Sequence, residues 1–152
     1  MPKMMVEAVI RRGDGINDGI LENAPEAEVV ARQNASNTDL GMKVTESVLL
    51  AKPEVNVICA CDDFTAIGAY EAVSAMQKIP DNFYIGGCDA TDEGKEKMKV
   101  ENSVYRSSCN LFPYEAGEDL AEAMYKYLTE KQEDAVVQRR YEPVWQRDVV
   151  EN

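Results

Sequence analysis

Apolar and polar residues along the chain follow two alternating patterns. Short apolar runs predict buried strands at residues 28–32, 55–60, 83–88 and 103–109. Segments with apolar residues at helical spacing separate these runs, and they predict helices around 16–21 with an end near Pro25, then at about 38–49, 63–77, 91–100 and 113–128. Residues 12–15 are predicted to form a polar turn, and the segment after Lys131 a charged turn and an extended tail.

This alternation of strands and helices indicates the fold class. Repeated β-α-β units with apolar strands of about five residues imply parallel strands joined by right-handed crossovers. The prediction is an α/β protein with a doubly wound parallel sheet and helices on both faces, a three-layer α/β/α arrangement. We expect Trp145, in the tail, to pack on the domain or on a surface of a partner, because an exposed indole would be costly.

Composition limits the class of protein further. With 152 residues, of which 45% are hydrophobic, the chain corresponds to one domain. Its formal net charge of −12 and its lack of a basic stripe oppose binding to nucleic acid or to an anionic membrane. No apolar run reaches the roughly 20 residues of a membrane span, and residues 1–5 do not resemble a secretory signal. Either the protein is cytosolic or the chain begins downstream of its leader.

Four cysteines lie in or beside the predicted strands, and none forms a C-x-x-C pair. They are Cys59, Cys61, Cys88 and Cys109. We interpret them as small buried core thiols, although disulfides stay open if the protein is exported. The chain has no histidine, so thiols would have to supply nearly all ligands of a zinc site. The sequence therefore predicts no metal site and no cofactor.

Acidic residues follow two of the predicted strands directly. Asp62 and Asp63 follow the strand at 55–60, and Asp89 follows the strand at 83–88. Open α/β sheets bind ligands at the carboxyl ends of their strands, so we expect these carboxylates to share one rim. Asp62 or Asp63 could instead cap the next helix, and Asp89 could cap the helix after it.

Six motifs make the chain similar to a known family. They occur in the family's order and spacing from about residue 8 to 130: RGDG at 12–15, VVARQ at 29–33, LLAKPEV at 49–55, DDFTAIGA at 62–69, GGCDAT at 86–91 and PYEAG at 113–117. The chain resembles the carboxyl-terminal lobe of the type I periplasmic sugar-binding proteins of ABC transporters, the ribose- and galactose-binding group. The same fold serves as the effector domain of LacI-type repressors, which is the alternative interpretation.

The resemblance implies a two-lobed clamp that closes on a sugar. Residues 1–152 would form one sugar-binding lobe with a core at about 8–130, while residues 1–10 and 135–152 would be stubs leading to an absent amino-terminal lobe, or a tail. The implied partners are a monosaccharide or related polyol, the missing lobe and an ABC transporter permease. The full-length parent would be periplasmic or otherwise extracytoplasmic. The motif at 86–91 and the lack of the repressors' typical Pro-Leu-Thr-Thr favour transport over regulation.

The resemblance also implies which side chains bind the ligand. Asp89 matches the family carboxylate that accepts hydrogen bonds from sugar hydroxyls, and Arg12 matches the family arginine that reaches ligand hydroxyls. Asp62 stands where the family usually has Asn. Because an ionised Asp only accepts, either the ligand presents an extra donor there or Asp62 serves the helix N-terminus. Asp63 matches a structural aspartate, with helix capping as its favoured role.

Two further positions are weaker candidates. Phe64 could stack on a sugar face, although an aromatic residue at the start of a helix more often packs in the core. Asn110 lies three residues before Pro113, one residue out of register with the family's polar amide. The loop at 34–37, where the family often places an aromatic residue, contains none. Stacking from this lobe is therefore expected to be weak.

Enzymatic activity is not expected. Asp62, Asp63, Asp89 and Asp92 could together be imagined as a magnesium site for phosphoryl chemistry. The chain has no P-loop, no histidine for acid–base work and no G-x-S-x-G motif. The sequence predicts ligand capture without catalysis, around Arg12, Asp62 and Asp89.

Overall fold

The computed structural model describes residues 7–131 and 141–150. Predictions that concern residues 1–6, 132–140 and 151–152 lie outside the described residues. Six helices and four strands are formed within the described ranges: α1 (Glu7–Asn23), α2 (Thr38–Ala51), β1 (Val57–Cys59), α3 (Asp63–Ser74), β2 (Tyr84–Gly86), α4 (Asp92–Lys99), β3 (Tyr105–Asn110), α5 (Pro113–Glu130), β4 (Glu142–Trp145) and α6 (Gln146–Val150).

One sheet of four strands, in the order β1-β2-β3-β4, organises the fold. β1, β2 and β3 are parallel, with Ile58 opposite Ile85 and Ile85 opposite Tyr105. β4 pairs with β3 in the antiparallel direction, with Val144 opposite Ser108. The predicted α/β class is confirmed, and β4 makes the sheet mixed. Three parallel strands therefore end at the same edge, which is where the candidate site residues lie.

The hydrophobic core lies between the sheet and α3. Ile67 and Val73 of α3 are fully buried, as are Phe83, Ile85 and Tyr105 from β2, β3 and the loop before β2. Burial of such side chains is the main favourable contribution to folding, at about 25 cal/mol per Å² of apolar surface. This core fixes the position of the α3 N-terminus against the ends of β2 and β3.

Two glycines allow α2 to approach α3 closely. A Cβ atom at Gly68 would lie 2.1 Å from the carbonyl oxygen of Thr38, and one at Gly41 would lie 2.6 Å from that of Thr65. Real Cβ atoms do not approach backbone atoms so closely, so the helix contact requires glycine at both positions. The two helices are thereby locked in one relative position.

Side chains cap the N-termini of three helices, α2, α3 and α4. Asn37 and Asp62 accept hydrogen bonds from the backbone amides three residues on, at 2.8 and 2.7 Å. Thr91, rather than Asp89, caps α4 through a bond from Gly94 N at 3.1 Å. Pro113 occupies the first turn of α5, where proline is preferred. Capping by Asp89 is therefore wrong, and at α3 the cap is Asp62 and not Asp63.

Two local predictions before α2 are wrong. Residues 28–32 do not form a strand, since β1 is the edge of the sheet and its outer side has no described strand partner there. Residues 12–15 do not form a turn, because α1 runs through them to Asn23. Gly13 lies in this helix and leaves room for the Arg32 guanidinium, which is 2.9 Å from where a Cβ would be.

The carboxyl-terminal segment is more ordered than the predicted extended tail. β4 extends the sheet, and α6 follows it and packs near α4, where Gln146 Nε2 donates to the Met98 carbonyl at 2.9 Å. Trp145 is paired through its backbone in β4, but the residue remains 44% exposed, with the Arg147 guanidinium 5.9 Å from the centre of its ring. Local periodicity over four residues could not distinguish a tail from a strand that needs β3 as its partner.

The cysteines and two helices are more exposed than the pattern predicts. Of the four free thiols only Cys88 is buried, and Cys59 is exposed, so the interpretation of all four as core thiols is wrong. α1 and α5 contribute no buried residue. In the described part of the chain, no helix combines the length and apolar character needed to cross a bilayer.

Candidate functional site

The loop that carries Asp89 has a fixed and unusual backbone. Asp89 and Ala90 adopt positive φ values of 105° and 50°, a region that costs non-glycine residues energy. Three successive amides hold this shape: Asp89 N donates to the Cys109 carbonyl at 2.8 Å, Ala90 N to Ser108 Oγ at 3.0 Å and Thr91 N to Asp63 Oδ2 at 2.6 Å. The loop is therefore anchored to β3 and to the start of α3.

Asp63 is the centre of a buried hydrogen-bond network beneath this loop. Its side chain is fully buried and accepts four hydrogen bonds. Oδ2 accepts from the amide and hydroxyl of Thr91, at 2.6 and 2.9 Å, and Oδ1 accepts from Tyr105 Oη at 2.7 Å and Ser108 Oγ at 2.6 Å. Burial and the Asp63 carboxylate raise the pKa of Tyr105 beyond its usual range. Asp63 thus joins α3, the Asp89 loop and β3.

Arg12 and Asp89 meet at the carboxyl end of the parallel strands. Arg12 Nη1, from α1, lies 3.3 Å from Asp89 Oδ1 and donates to the Cys61 carbonyl at 2.6 Å. Both side chains are about one-third exposed, 31% and 34%. The pair is therefore open to solvent while being tied to the end of β1 through Cys61.

Asp62 lies next to this pair and serves a structural role with one oxygen. Its Oδ1 accepts from Thr65 N as the cap of α3. Its charge acts on both neighbours, since it raises the pKa of Cys61 and of Asp89. The structure thus brings Asp62 to the same edge as Arg12 and Asp89, as the sequence predicted from the common ends of parallel strands.

The electrostatics of Asp89 combine opposing effects. Burial is the largest cause and raises the pKa of Asp89, while the Arg12 guanidinium lowers it. The carboxylates of Asp63 and Asp62 raise it further, and the net direction is upward. Burial also raises the pKa of the neighbouring Cys88 thiol to about 11, so this thiol stays protonated near neutral pH. The negative charges at this edge are therefore only partly compensated.

A second arginine, which the sequence analysis did not select, borders the site. Arg32 Nη2 donates to Asp14 Oδ1 at 2.7 Å and lies against Gly13 of α1. Burial raises the pKa of Cys61, and the charges of Arg32 and Arg12 offset part of that rise. No local signal distinguishes Arg32 from a surface arginine in the sequence. Its placement depends on the path of residues 24–37 past α1.

Phe64 and Asn110 are placed differently from the other predicted residues. Phe64 lies in the first turn of α3 with 54% of its surface exposed, so it is not a core residue. Asn110 ends β3, and its Oδ1 accepts from Phe112 N at 3.0 Å. That bond stabilises Phe112 at a φ of 50°, before α5. Ligand contact by Phe64 and by Asn110 stays a prediction.

The arrangement is suited to hydrogen bonding with neutral or charged polar ligands. Among the described residues, no three His, Cys, Asp or Glu side chains form a cluster that could hold a metal ion. Arg12 offers further N–H donors, and Asp62 and Asp89 offer acceptor oxygens. A sugar hydroxyl can both donate and accept, so it matches donors and acceptors placed side by side.

Sequence comparison relates the chain to transport proteins. Residues 5–132 match the family described as periplasmic binding protein domain. The ribose import binding protein RbsB of Haemophilus influenzae is 37% identical over 93 residues, which cover 60% of this chain and 30% of that protein. The match therefore concerns a part of the relative.

Solved structures extend this similarity over most of the chain. A solute binding protein from Bacillus halodurans with bound myo-inositol is 27% identical, with a TM-score of 0.77, and the match covers 93% of this chain and 48% of that one. One from Actinobacillus succinogenes with bound D-allose is 22% identical, with a TM-score of 0.79 and coverages of 91% and 49%. The chain thus spans about half the length of these structures.

Proposed function

The chain belongs to the periplasmic binding protein domain family, in its type I sugar-binding group, and from this premise we propose that it binds a sugar or related polyol at the Arg12–Asp89 edge. The supporting observation is the hydrogen-bonded contact between a guanidinium and a carboxylate, both partly exposed, at the common end of three parallel strands. Open α/β sheets place ligand sites at this edge.

The ligand would bind by donating hydrogen bonds to Asp89 and accepting them from Arg12. The free N–H groups of Arg12 donate to ring and hydroxyl oxygens, and Asp89 accepts from one or two hydroxyls. Bonds to charged partners contribute about 1.5–3 kcal/mol each, more than bonds between neutral groups. The rigid Asp89 loop favours binding further, because its oxygens are held in place before the ligand arrives.

We propose that this lobe acts with a second lobe in a two-lobed receptor. The two solved structures named above are about twice as long as the matched segment, which supports a second lobe on the other side of the ligand. In this proposal closure of the lobes around the sugar is the signal to an ABC transporter permease, and the complete receptor works in the periplasm. The import protein among the relatives favours transport over a LacI-type regulator.

The same site supports capture without catalysis. The chain has no histidine, and the carboxylates at this edge are engaged in hydrogen bonds or in the ion pair with Arg12. Ligand release would then need only the lobes to open. We therefore expect sugars to be recovered unchanged after incubation with the protein.

Titration of the chain with sugars tests the proposal. Ribose, D-allose and myo-inositol are added at millimolar concentrations while backbone amide NMR signals are recorded. We expect weak binding, because one lobe provides only part of the contacts, with the largest shifts at Arg12, Asp62 and Asp89. Shifts confined to other parts of the chain, or no shifts with any of the three ligands, would contradict the proposed site.

Two matched variants separate the site from the fold. Asp89→Asn keeps the shape of the side chain and suits the positive φ, but it removes the charged acceptor. We expect a loss of about 10-fold or more in affinity, since a hydrogen bond to a charged group contributes about 1.5–3 kcal/mol. Asp81→Asn removes a charge from an exposed turn and should leave affinity unchanged.

A further inference from the structure

We propose that the ligand carries a protonated amine beside its hydroxyls, as an amino sugar or an amino polyol does, and that Asp62 binds the ammonium group. This inference rests on the proposed sugar site and assigns the ligand's chemical class within it. Two observations support it: the carboxylates at the site outnumber the guanidinium groups available to pair with them, and one oxygen of Asp62 has no hydrogen bond to any described residue.

Charges at the edge do not balance. Arg32 is paired with Asp14, so that couple contributes little net charge. The remaining guanidinium, that of Arg12, is paired with Asp89, while partly exposed Asp62 has no ion pair with any described residue. Fully buried Asp63 lies behind them, and its charge also acts on Asp89. A ligand with one positive charge would bring the exposed part of the site to neutrality.

Asp62 keeps one oxygen for a ligand. Oδ1 is used as the cap of α3, whereas the structure gives Oδ2 no hydrogen bond to any described residue. An ionised carboxylate only accepts, so the group that Oδ2 binds must be a donor. An ammonium group donates three hydrogen bonds and carries the missing charge, while a hydroxyl supplies a donor alone. The ammonium is therefore the better match.

Arg12 cannot neutralise both carboxylates. Its Nη1 already donates to the Cys61 carbonyl at 2.6 Å and to Asp89 at 3.3 Å. Arg12 makes no hydrogen bond or ion pair with Asp62, and the Asp62 charge adds to the burial that raises the pKa of Asp89. The charge of Asp62 is thus left to the helix N-terminus and to whatever binds there.

Paired sugars that differ only in the amine test the inference. The chain is titrated with D-glucose and D-glucosamine, and with D-galactose and D-galactosamine, at a pH where the amines are protonated. N-acetylglucosamine serves as a neutral control, because acetylation removes the charge of the amine. We expect each amino sugar to bind about 10-fold more tightly than its parent, since charge-assisted bonds exceed neutral ones by about 1 kcal/mol or more. Added salt should weaken only the amino sugars.

The variant Asp62→Asn is the matched control. Its amide oxygen can still cap α3, because Asn and Asp are about equally good N-caps, so the fold should persist. The preference should disappear, so that each amino sugar binds the variant about as tightly as its parent sugar does. Exposed Asp81→Asn should leave the preference intact.

Each outcome decides between the two proposals. If parent sugars shift the Arg12 and Asp89 signals and the amino sugars bind no better, the inference is wrong and the sugar site stands. If the preference survives Asp62→Asn, Asp62 is not the ammonium-binding group and the inference is equally overturned. If no sugar of either kind perturbs this edge, the proposed function fails together with the inference.

Discussion

Removing the Asp63 carboxylate should lower the free energy of unfolding more than any other single change at this edge. Asp63→Ala leaves four donors without their acceptor, of which the hydroxyls of Tyr105 and Ser108 belong to residues only 0% and 3% exposed. Thr91 is partly exposed, so its hydroxyl can turn to water instead. The cost should therefore come mainly from the two buried hydroxyls.

The magnitude follows from those two groups. A buried polar group that loses its partner costs about 1–3 kcal/mol, so the two together would cost about 2–6 kcal/mol. Release of a buried charge offsets part of this, and we expect a loss of about 2–4 kcal/mol. A domain of this size has a free energy of unfolding of only about 5–15 kcal/mol, so the loss should be large.

Urea unfolding, followed by circular dichroism, measures the effect on Asp63→Ala, Tyr105→Phe and the double variant. Tyr105→Phe alone removes one bond to a charged acceptor and should cost about 1.5–3 kcal/mol. In the Asp63→Ala background the same change should cost almost nothing, because the Tyr105 hydroxyl no longer has its acceptor. The double-mutant cycle should therefore give a coupling above about 1 kcal/mol.

Additive costs would refute this reasoning. If Asp63→Ala and Tyr105→Phe destabilise independently, the hydrogen bond between them does not stabilise the fold as described. Asp81→Ala, in an exposed turn, should stay within about 0.5 kcal/mol of the unmodified chain. A similar cost at Asp81 would show that the loss at Asp63 reflects charge alone and not the buried network.

Three further outcomes are expected. Gly68→Ala should lower the free energy of unfolding in urea by about 1–3 kcal/mol, because its Cβ would collide with the Thr38 carbonyl. Gly19→Ala has open space around it and should stabilise α1 by about 0.5–1 kcal/mol. Equal effects would contradict the close helix contact. The pKa of Asp89 is raised in the folded protein, so the stability that this carboxyl contributes is present below its unfolded-state pKa and is lost as pH rises through its folded-state pKa. Asp89→Asn should therefore flatten the acidic part of the plot of unfolding free energy against pH. Asp62→Asn should lower the pKa of Asp89 in an NMR titration, and a rise would refute the assigned electrostatics.

Most elements around the core follow from local pattern. The strands at 55–60, 83–88 and 103–109 and the helices that follow them appear where apolar periodicity predicts them. Asn37, Asp62 and Pro113 mark helix starts because capping depends on a few adjacent residues. The placement of Asp62 and Asp89 at one edge also follows, since parallel strands end together.

Elements that depend on distant partners did not follow from local pattern. Residues 28–32 have the composition of a strand but no strand neighbour in the described sheet, and β4 exists because β3 offers an open edge. The role of Asp63 was also missed. Adjacent aspartates at a helix start are alike in sequence, and only the fold buries Asp63 against Tyr105 while leaving Asp62 as the cap.

The amino-acid sequence by itself determined the α/β alternation, the position at which α3 begins and the family, because each depends on residue spacing that local chemistry can interpret. Tertiary structure alone decided that Arg12 from α1 reaches Asp89 and that Arg32 binds Asp14 beside it. Contacts between residues tens of positions apart depend on how whole elements pack, and no local pattern encodes that packing.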